Sequence, residues 1–343
     1  MKVIYSEDHR LHDGAMEVLN GKLVPMFEMP SRMDMVLQRL SAQGYTDLSP
    51  PDKHGLGPAK RVHSEGFLNF LGSAWDVWHR DWPKTAFAMP FTFSQRRLRQ
   101  QPGKTAASQY GYWCFDMSAP FVPGTWQAIQ SSLDCAITAQ KLVENGAAAA
   151  FALCRPPGHH AMKDLAGGYC YVNNAAAAAQ AFRDAGAKKV AILDVDYHHG
   201  NGTQDIFYDR DDVLFVSLHG HPDQEYPYFA GFAEEKGKGK GEGHNLNYPM
   251  PWGTKWDVYK EALTDAIDKI RKFGADVLVV SLGVDTFEKD PISRFKLTSA
   301  AYPEMGQMIA TLKLPTLFVM EGGYAVEEIG INAVGVLEGF EGA

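Results

Sequence analysis

Six short runs of apolar and often β-branched residues recur along this sequence, and their spacing constrains the fold more than any other feature. Runs of this length are typical of buried strands in a parallel sheet. They occupy residues 2–5, 149–154, 189–196, 213–219, 276–283 and 315–323. Apolar patterns with helical periodicity lie at residues 124–145, 173–185, 255–273 and 299–312. Strands alternating with helices predict an α/β fold, with helices on both faces of a mostly parallel sheet.

Composition and charge are those of an ordinary globular protein. The 343 residues are 45% hydrophobic, and 33 basic against 41 acidic residues give a formal net charge of -8. This acidic balance disfavours a nucleic-acid partner. Acidic residues occur within the first few positions, and no stretch approaches about 18 apolar residues, so we expect a cytoplasmic protein without a membrane partner. Four widely spaced cysteines match neither a CxxC motif nor a disulfide scaffold.

Residues 75–125 depart from this pattern. They combine many aromatic residues with the basic stretch QRRLRQQ (95–101) and show no clear period. Such a segment either covers the core of its own domain or forms a surface for a partner or substrate. Because the missing period argues against a helical lid, we expect its aromatic side chains to be buried against a second copy in a homodimer. Residues 1–343 are then one domain with an insertion around 75–125.

Polar residues follow four of the predicted strands, at the edge where open parallel sheets bind ligands. The sequences are RPPGHH (155–160), DVDYHHGNG (194–202), GVDTFEKD (283–290) and EGGY (321–324). In the first, two prolines and Gly158 shape a stiff loop that presents His159 and His160. In the second, Asp196 and His198 are two residues apart, which places them on one side of an extended segment.

Asp285, in the third of these sequences, can complete a metal site with Asp196 and His198. Two carboxylates and one imidazole balance a divalent charge and leave coordination positions open, as catalytic metal sites do. Zinc, Zn²⁺, is the first choice for this set. Its oxygen-rich character also suits iron(II) or cobalt(II).

Linked motifs carry a family resemblance that covers essentially the whole chain. They are RPPGHH, GGYCYVNNAA (167–176), DVDYHHGNGTQ (194–204), VSLHG (216–220), SLGVDTFEKDP (281–291) and MEGGY (320–324). In this order they resemble the motifs of the histone deacetylase superfamily, and closely those of its bacterial acetylpolyamine amidohydrolase branch. The resemblance implies an arginase/deacetylase-like three-layer αβα fold. It also implies a dimer whose subunits wall in each other's active-site mouths.

The same resemblance implies catalytic roles. His160 matches the general base, which takes a proton from water and returns it to the departing amine. His159 adds electrostatic stabilisation, and Tyr324 donates its hydroxyl to the developing oxyanion. Asp194 is expected behind His159 and Asn201 behind His160. An amide at that second position raises imidazole basicity less than the carboxylate that many relatives carry.

Substrate-binding residues are also implied by the resemblance. Tyr169 and Tyr226 match the aromatic pair that lines the acyl-amine tunnel, and Ile292 is expected to narrow the same wall. Glu17 matches an acidic position for the cationic tail, and Asp116 is the one acid left in a segment where the branch has two others. A potassium ion, K⁺, is expected at backbone carbonyls and side chains of Asp194, Asp196, His198, Ser217 and Leu218.

These features predict a zinc-dependent amidohydrolase that removes acetyl groups from small amines such as acetylputrescine, acetylcadaverine and other acetylpolyamines. Deacetylation of acetyl-lysine in proteins or peptides is the alternative within the same class. A non-catalytic binder of acetylated amines would not need Tyr324, His160 and three metal ligands together. A ureohydrolase would bind two metals through more Asp and His residues than this strand edge supplies.

Overall fold

The computed structural model describes residues 1–95, 98 and 100–343, so three arginines of the stretch QRRLRQQ lie outside the described residues. The strands in this part are β1 (Lys2–Ile4), β2 (Met16–Leu19), β3 (Lys22–Pro25), β4 (Leu48–Ser49), β5 (Ala149–Ala152), β6 (Val190–Asp194), β7 (Val213–Gly220), β8 (Asn245–Met250), β9 (Val277–Leu282) and β10 (Thr316–Met320). The α-helices are α1 (Ser31–Ala42), α2 (Glu65–Asp81), α3 (Ala106–Trp113), α4 (Thr125–Glu144), α5 (Asn174–Asp184), α6 (Asn201–Phe207), α7 (Trp256–Phe273), α8 (Ala301–Ala310) and α9 (Ile329–Glu341). None of these helices combines the length and the apolar character that a membrane crossing requires.

Eight of the described strands form one sheet, in the order β4-β1-β5-β10-β9-β6-β7-β8. Every neighbouring pair in it is parallel. Successive side chains of a strand point to opposite faces. In β5, for example, Ala150 and Ala152 pack in a core with α2, α4 and α5, whereas Phe151 packs in a second core with α1, α7, α8 and α9. Buried cores on both faces of a parallel sheet confirm the predicted three-layer αβα fold.

The predicted strands and helices are present, with small differences at their ends. Two strands at the sheet edges were not predicted. β4 has only two residues, and β8 has the sequence NLNYPM, whose buried Asn245 and Asn247 side chains donate to Gln204 Oε1. The alternation in this strand is inverted, because the amides rather than the apolar side chains are on its buried side, and Pro249 interrupts the run, so its sequence indicates a strand only weakly.

The segment 75–125 differs from its prediction, because it contains the end of α2 and all of α3. The apolar positions of α2 begin upstream, at Phe67 and Phe70, so a window that starts at residue 75 misses their helical spacing. Trp78 is buried in the chain's own core, with its ring centroid 4.5 Å from Trp82 and 4.9 Å from Tyr110. Trp78 is therefore unsuited to dimerisation, and the expectation that a second copy must bury it was wrong.

Candidate active site

Four adjacent strands of the sheet, β5, β10, β9 and β6, end at the same edge. The polar sequences noted above follow these four strands, and parallel strands place their carboxyl ends side by side. We call the strand-end residues the floor of the site; they are His159, His160, Asp196, His198, Asp285 and Tyr324. Segments far apart in the sequence thus meet at one place because of the strand order.

The residues predicted to bind metal, Asp196, His198 and Asp285, lie together in the floor. One potential ligand atom from each lies within 4.8 Å of the others, and all three residues are buried. His198 Nδ1 is 2.9 Å from Asp285 Oδ2 and 3.4 Å from Asp196 Oδ1. Gly322 passes so close that a Cβ atom there would lie 2.6 Å from Asp196 Oδ2 and 2.7 Å from Asp285 Oδ2. Only glycine leaves both carboxylates in place.

The charges of this cluster fit a divalent cation. Burial and the neighbouring charge of Asp196 raise the pKa of Asp285 to about 6. Burial acts to lower the pKa of His198, but hydrogen bonds and charges from the two carboxylates outweigh it and raise this pKa well above its ordinary value. Two buried carboxylates repel each other and attract positive charge, which a metal ion supplies. The residues therefore fit the metal that the sequence implies.

The loop that carries His159 and His160 is fixed from two sides. Glu321 Oε2 accepts hydrogen bonds from the backbone N–H groups of Gly158, at 2.7 Å, and His159, at 3.1 Å. Gly168 packs on the opposite side with a φ of +53°, and a Cβ atom there would lie 2.4 Å from His160 Cδ2. A left-handed backbone and this close approach both require glycine.

Asp194 and Asn201 orient the two imidazoles in the predicted pairing. His159 Nδ1 donates to Asp194 Oδ2 at 2.9 Å, and His160 Nδ1 donates to Asn201 Oδ1 at 2.7 Å. Burial lowers the pKa of His159, but the neighbouring carboxylates outweigh it and raise this pKa to about 10. Burial and nearby histidine charges lower the pKa of His160 well below its ordinary value. The pKa values of the two adjacent imidazoles are thus shifted in opposite directions.

Tyr324 completes the floor and is only 7% exposed. Gly323, with a φ of +128°, turns the chain immediately before it. The Arg32 guanidinium lies 4.9 Å from the Tyr324 ring centroid and donates to Gly323 O at 2.6 Å, while Asp290 Oδ2 accepts from Tyr324 N at 2.7 Å. Burial raises the pKa of Tyr324 well above its ordinary value, so the phenol stays protonated and can donate a hydrogen bond.

A buried ionic network behind Tyr324 was missed in the sequence. Glu28 Oε1 accepts from Arg32 Nη1 at 2.7 Å and from Arg155 Nε at 2.8 Å, with all three side chains fully buried. Arg155 begins the RPPGHH motif, Glu28 precedes α1, and Arg32 lies four residues later in the first turn of that helix. The sequence shows all three charged residues, but the contact between residues 28 and 155 depends on the tertiary fold.

A cavity of about 260 Å³ leads to the floor. Its wall contains four predicted substrate-binding residues, Glu17, Tyr169, Tyr226 and Ile292. The complete lining is Glu17, Val18, Leu19, Asn20, Ser118, His160, Gly168, Tyr169, His198, Glu225, Tyr226, Tyr228, Ile292 and Tyr324. We call residues 17–20 and 225–228 the mouth of the cavity; they come from the β2–β3 hairpin and the loop after β7.

Asp116, the fifth residue predicted to bind substrate, lies behind the cavity wall. Its Oδ2 atom accepts from the Tyr226 hydroxyl at 2.6 Å and from Gly168 N at 3.0 Å, and its Oδ1 accepts from Ser118 N at 2.9 Å. These contacts show that Asp116 positions the aromatic wall. A direct contact between Asp116 and substrate stays a prediction.

The residues predicted to bind potassium lie at the ends of β6 and β7. Asp194 and Ser217 are partners in the register of these strands. Asp194 Oδ1 accepts from Asp196 N at 3.1 Å, and Leu218 is fully buried beside Ser217. The predicted potassium ligands thus come from the ends of two neighbouring strands.

Comparison with known proteins agrees with the fold. The model of the histone deacetylase domain matches residues 26–339, so the chain belongs to the histone deacetylase family. It is 57% identical to acetylpolyamine amidohydrolase 2 of Pseudomonas aeruginosa, over 100% of this chain and 99% of that protein. It is 52% identical to the acetylpolyamine amidohydrolase of Mycoplana ramosa, over 100% of both chains.

A solved structure extends this similarity to three dimensions. The crystal structure of the acetylpolyamine aminohydrolase from Burkholderia pseudomallei superposes with a TM-score of 0.93 at 40% identity, covering 99% of this chain and 98% of that chain. Within the family, these relatives place the chain in the acetylpolyamine amidohydrolase branch.

Proposed function

We propose that this protein hydrolyses the amide bond of small N-acetylated amines, such as acetylputrescine, acetylcadaverine and other acetylpolyamines, with zinc at its active site. The observation that carries the proposal is the aromatic-walled cavity whose floor brings together His160, His198 and Tyr324. Aromatic rings beside convergent polar groups suit a slender chain of methylenes that carries polar ends. The names of relatives at 52% and 57% identity support this substrate class.

Asp196, His198 and Asp285 would hold the zinc ion, and the same set would accept iron(II) or cobalt(II). When bound, the ion would supply Lewis-acid polarisation of the acetyl carbonyl and would acidify the attacking water. The repulsion between the two buried carboxylates favours such a cation over an empty site.

His160 would move the proton. Its Nδ1–H donates to Asn201 Oδ1, so the lone pair is on Nε2, and its lowered pKa keeps the ring neutral and able to accept. His160 takes a proton from water as the water oxygen attacks the acetyl carbon. It then delivers this proton to the amine nitrogen as the C–N bond breaks, which yields acetate and the free amine.

His159 and Tyr324 would stabilise the negative charge that develops on the acetyl oxygen. Tyr324 is a protonated phenol and donates its O–H to this oxyanion. The imidazolium of His159 is held by Asp194 beside His160, with 4.0 Å between the two ring centroids. Its positive charge favours the anionic transition state but also lowers the basicity of His160.

We also propose a homodimer that forms through the 75–125 insertion. Within the described part of this segment, Phe91, Phe93 and Leu98 expose 59%, 43% and 69% of their surface. Phe87 of the same segment packs in a cluster with Tyr169 and Tyr324, so the insertion adjoins the active site. A second subunit over this face would narrow the approach, which admits a slender amine more easily than acetyl-lysine on a folded protein surface.

Light scattering at micromolar concentration tests the dimer. Replacing Phe93 and Leu98 by serine removes exposed apolar area outside the hydrophobic cores, and should shift the protein towards monomer. Val258→Ser, at an exposed apolar side chain of α7 outside the insertion and the mouth, is the control. A monomeric wild-type protein would contradict this part of the proposal.

Two further expectations belong to the proposal. The oxygen atoms at the ends of β6 and β7 support potassium binding by Asp194, Asp196, His198, Ser217 and Leu218. The second expectation is a cytoplasmic location.

The experiment that tests the function is a panel of steady-state rates on acetylputrescine, acetylcadaverine, acetylspermidine and an acetyl-lysine peptide. We expect kcat/KM to be highest for a small acetylated diamine. Equal or higher values for the acetyl-lysine peptide would favour protein deacetylation instead. No acetate release from any of the four would exclude the proposed reaction class.

A further inference from the structure

The mouth of the cavity carries two carboxylates, Glu17 and Glu225. Among the residues that the structure describes, no lysine or arginine lines the cavity. The mouth therefore presents net negative charge to a substrate that carries an ammonium group at its far end. The two carboxylates differ in whether they have an oxygen atom free to accept a hydrogen bond from this ammonium group.

Glu17 is already used by the protein. Its Oε1 accepts from Phe27 N at 2.9 Å and its Oε2 accepts from the Tyr169 hydroxyl at 2.7 Å. The residue is only 3% exposed, and burial raises its pKa. Both oxygens thus serve to fix the hairpin and the aromatic wall, and burial weakens the tendency of this group to carry charge.

Glu225 is in the opposite situation. Its Oε2 accepts from the Tyr197 hydroxyl at 2.6 Å and from Trp252 Nε1 at 2.9 Å, whereas its Oε1 has only a 3.4 Å contact with Tyr226 N. These donors are neutral, so they hold the carboxylate in place without cancelling its charge. Glu225 is partly exposed at the cavity, and it forms no ion pair with any cationic residue in the described part of the chain.

The contacts of Glu225 also connect it to the floor. The Tyr197 ring that donates to it lies next to the predicted metal ligand His198, with 4.9 Å between the ring centroids. The Arg294 guanidinium lies 5.8 Å from the ring centroid of Trp252 and forms no ion pair with Glu225. The carboxylate is therefore a fixed, uncompensated negative charge on the wall that leads to the reacting groups.

We infer that Glu225, rather than Glu17, is the specificity-determining residue that receives the distal ammonium group of the substrate. This inference rests on the proposed function and adds a requirement to it, because the amine should be recognised by its charge as well as by its length. A preorganised carboxylate with a free oxygen can accept a charge-assisted hydrogen bond from an ammonium group. Glu17 would then shape the mouth through Tyr169.

The test compares two substrates that differ only at the far end, acetylcadaverine and N-hexylacetamide, in which a methyl group replaces the ammonium. Glu225→Gln removes the charge but keeps an oxygen for Tyr197 and Trp252. We expect roughly a tenfold loss of kcat/KM for acetylcadaverine, mainly through KM, and little change for N-hexylacetamide. The control Asp223→Asn makes the same charge change at an exposed site on the same loop, and should alter neither rate.

A charge reversal provides a second test that does not depend on the glutamine variant. Glu225→Lys should disfavour acetylcadaverine and favour 6-acetamidohexanoate, which carries a carboxylate at the far end. Thermal unfolding and activity on N-hexylacetamide show whether each variant is folded. If Glu225→Gln and Glu225→Lys each lower the rates on all substrates alike, Glu225 only supports the wall and the inference is overturned.

Two other results separate this inference from the function on which it rests. A charge-selective loss in Glu17→Gln, without one in Glu225→Gln, would assign the ammonium to Glu17 and overturn the inference alone. A wild-type protein that hydrolyses neither substrate would overturn the proposed function and the inference with it.

Discussion

The floor of the site and its mouth are built in different ways. In the floor, side chains are buried, and partners such as Asp194 and Asn201 orient the two histidines through short hydrogen bonds. In the mouth, side chains come from a hairpin and a loop, and Tyr228 is 50% exposed. The floor follows the ends of central strands, whereas the mouth depends on connections between elements. In the proposed function, the floor breaks the amide bond and the mouth selects the amine.

Among the floor residues that are not predicted metal ligands, the largest effect of a single change is expected for His160→Ala. Because this residue handles both proton transfers, we expect kcat to fall by roughly a thousandfold or more. His159→Ala removes only an electrostatic contribution and should cost less, roughly tenfold to a hundredfold. Steady-state rates on acetylcadaverine, with metal content measured in parallel, check this order. Equal and mild losses in both variants would contradict the division of roles.

The next largest effect is expected for Tyr324→Phe, because this change removes one hydrogen-bond donor and leaves the ring in place. We expect turnover to fall by roughly a hundredfold with metal content and folding unchanged. Tyr228→Phe removes a hydroxyl from the mouth and should have little effect on kcat. Equal decreases in kcat in the two variants, or full activity of Tyr324→Phe, would contradict the proposed difference between floor and mouth.

The smallest expected effect is a shift in pH dependence in Asn201→Asp. A carboxylate beside His160 Nδ1 stabilises the imidazolium and raises its pKa. Since the base acts in its neutral form, the acid limb of kcat/KM should move to higher pH. Rates measured across the acid and neutral range check this shift. An acid limb that stayed in place, or moved to lower pH, would contradict the role of His160 as the titrating base.

Much of the fold and of the floor could be predicted from the sequence, and the reason is physical. Buried parallel strands need continuous apolar runs, and residues that follow strand ends share one edge, so RPPGHH, DVDYHH and EGGY indicate both the sheet and the site. The edge strand β8 was missed because asparagines occupy its buried positions, and the helix α2 was missed because its apolar spacing begins before residue 75. An edge strand with polar buried residues and a helix that begins before the segment 75–125 both lack the expected spacing of apolar residues.

The mouth could be predicted only in part, because its roles are set by contacts between distant segments. Glu17 and Asp116 look alike as acidic residues in the sequence, yet one lines the cavity and the other lies behind Tyr226. Glu225 carries no local signal at all. Its position depends on donors from Tyr197 and Trp252, which lie 28 and 27 residues away.

The most direct test of the account is acetate release from acetylcadaverine before and after removal of metal with a chelator. We predict that the stripped protein is inactive and that one zinc ion per chain restores activity, because the attacking water and the acetyl carbonyl both depend on the cluster of Asp196, His198 and Asp285. Asp285→Ala should not recover under the same treatment. Undiminished hydrolysis by protein shown to lack metal would contradict the account.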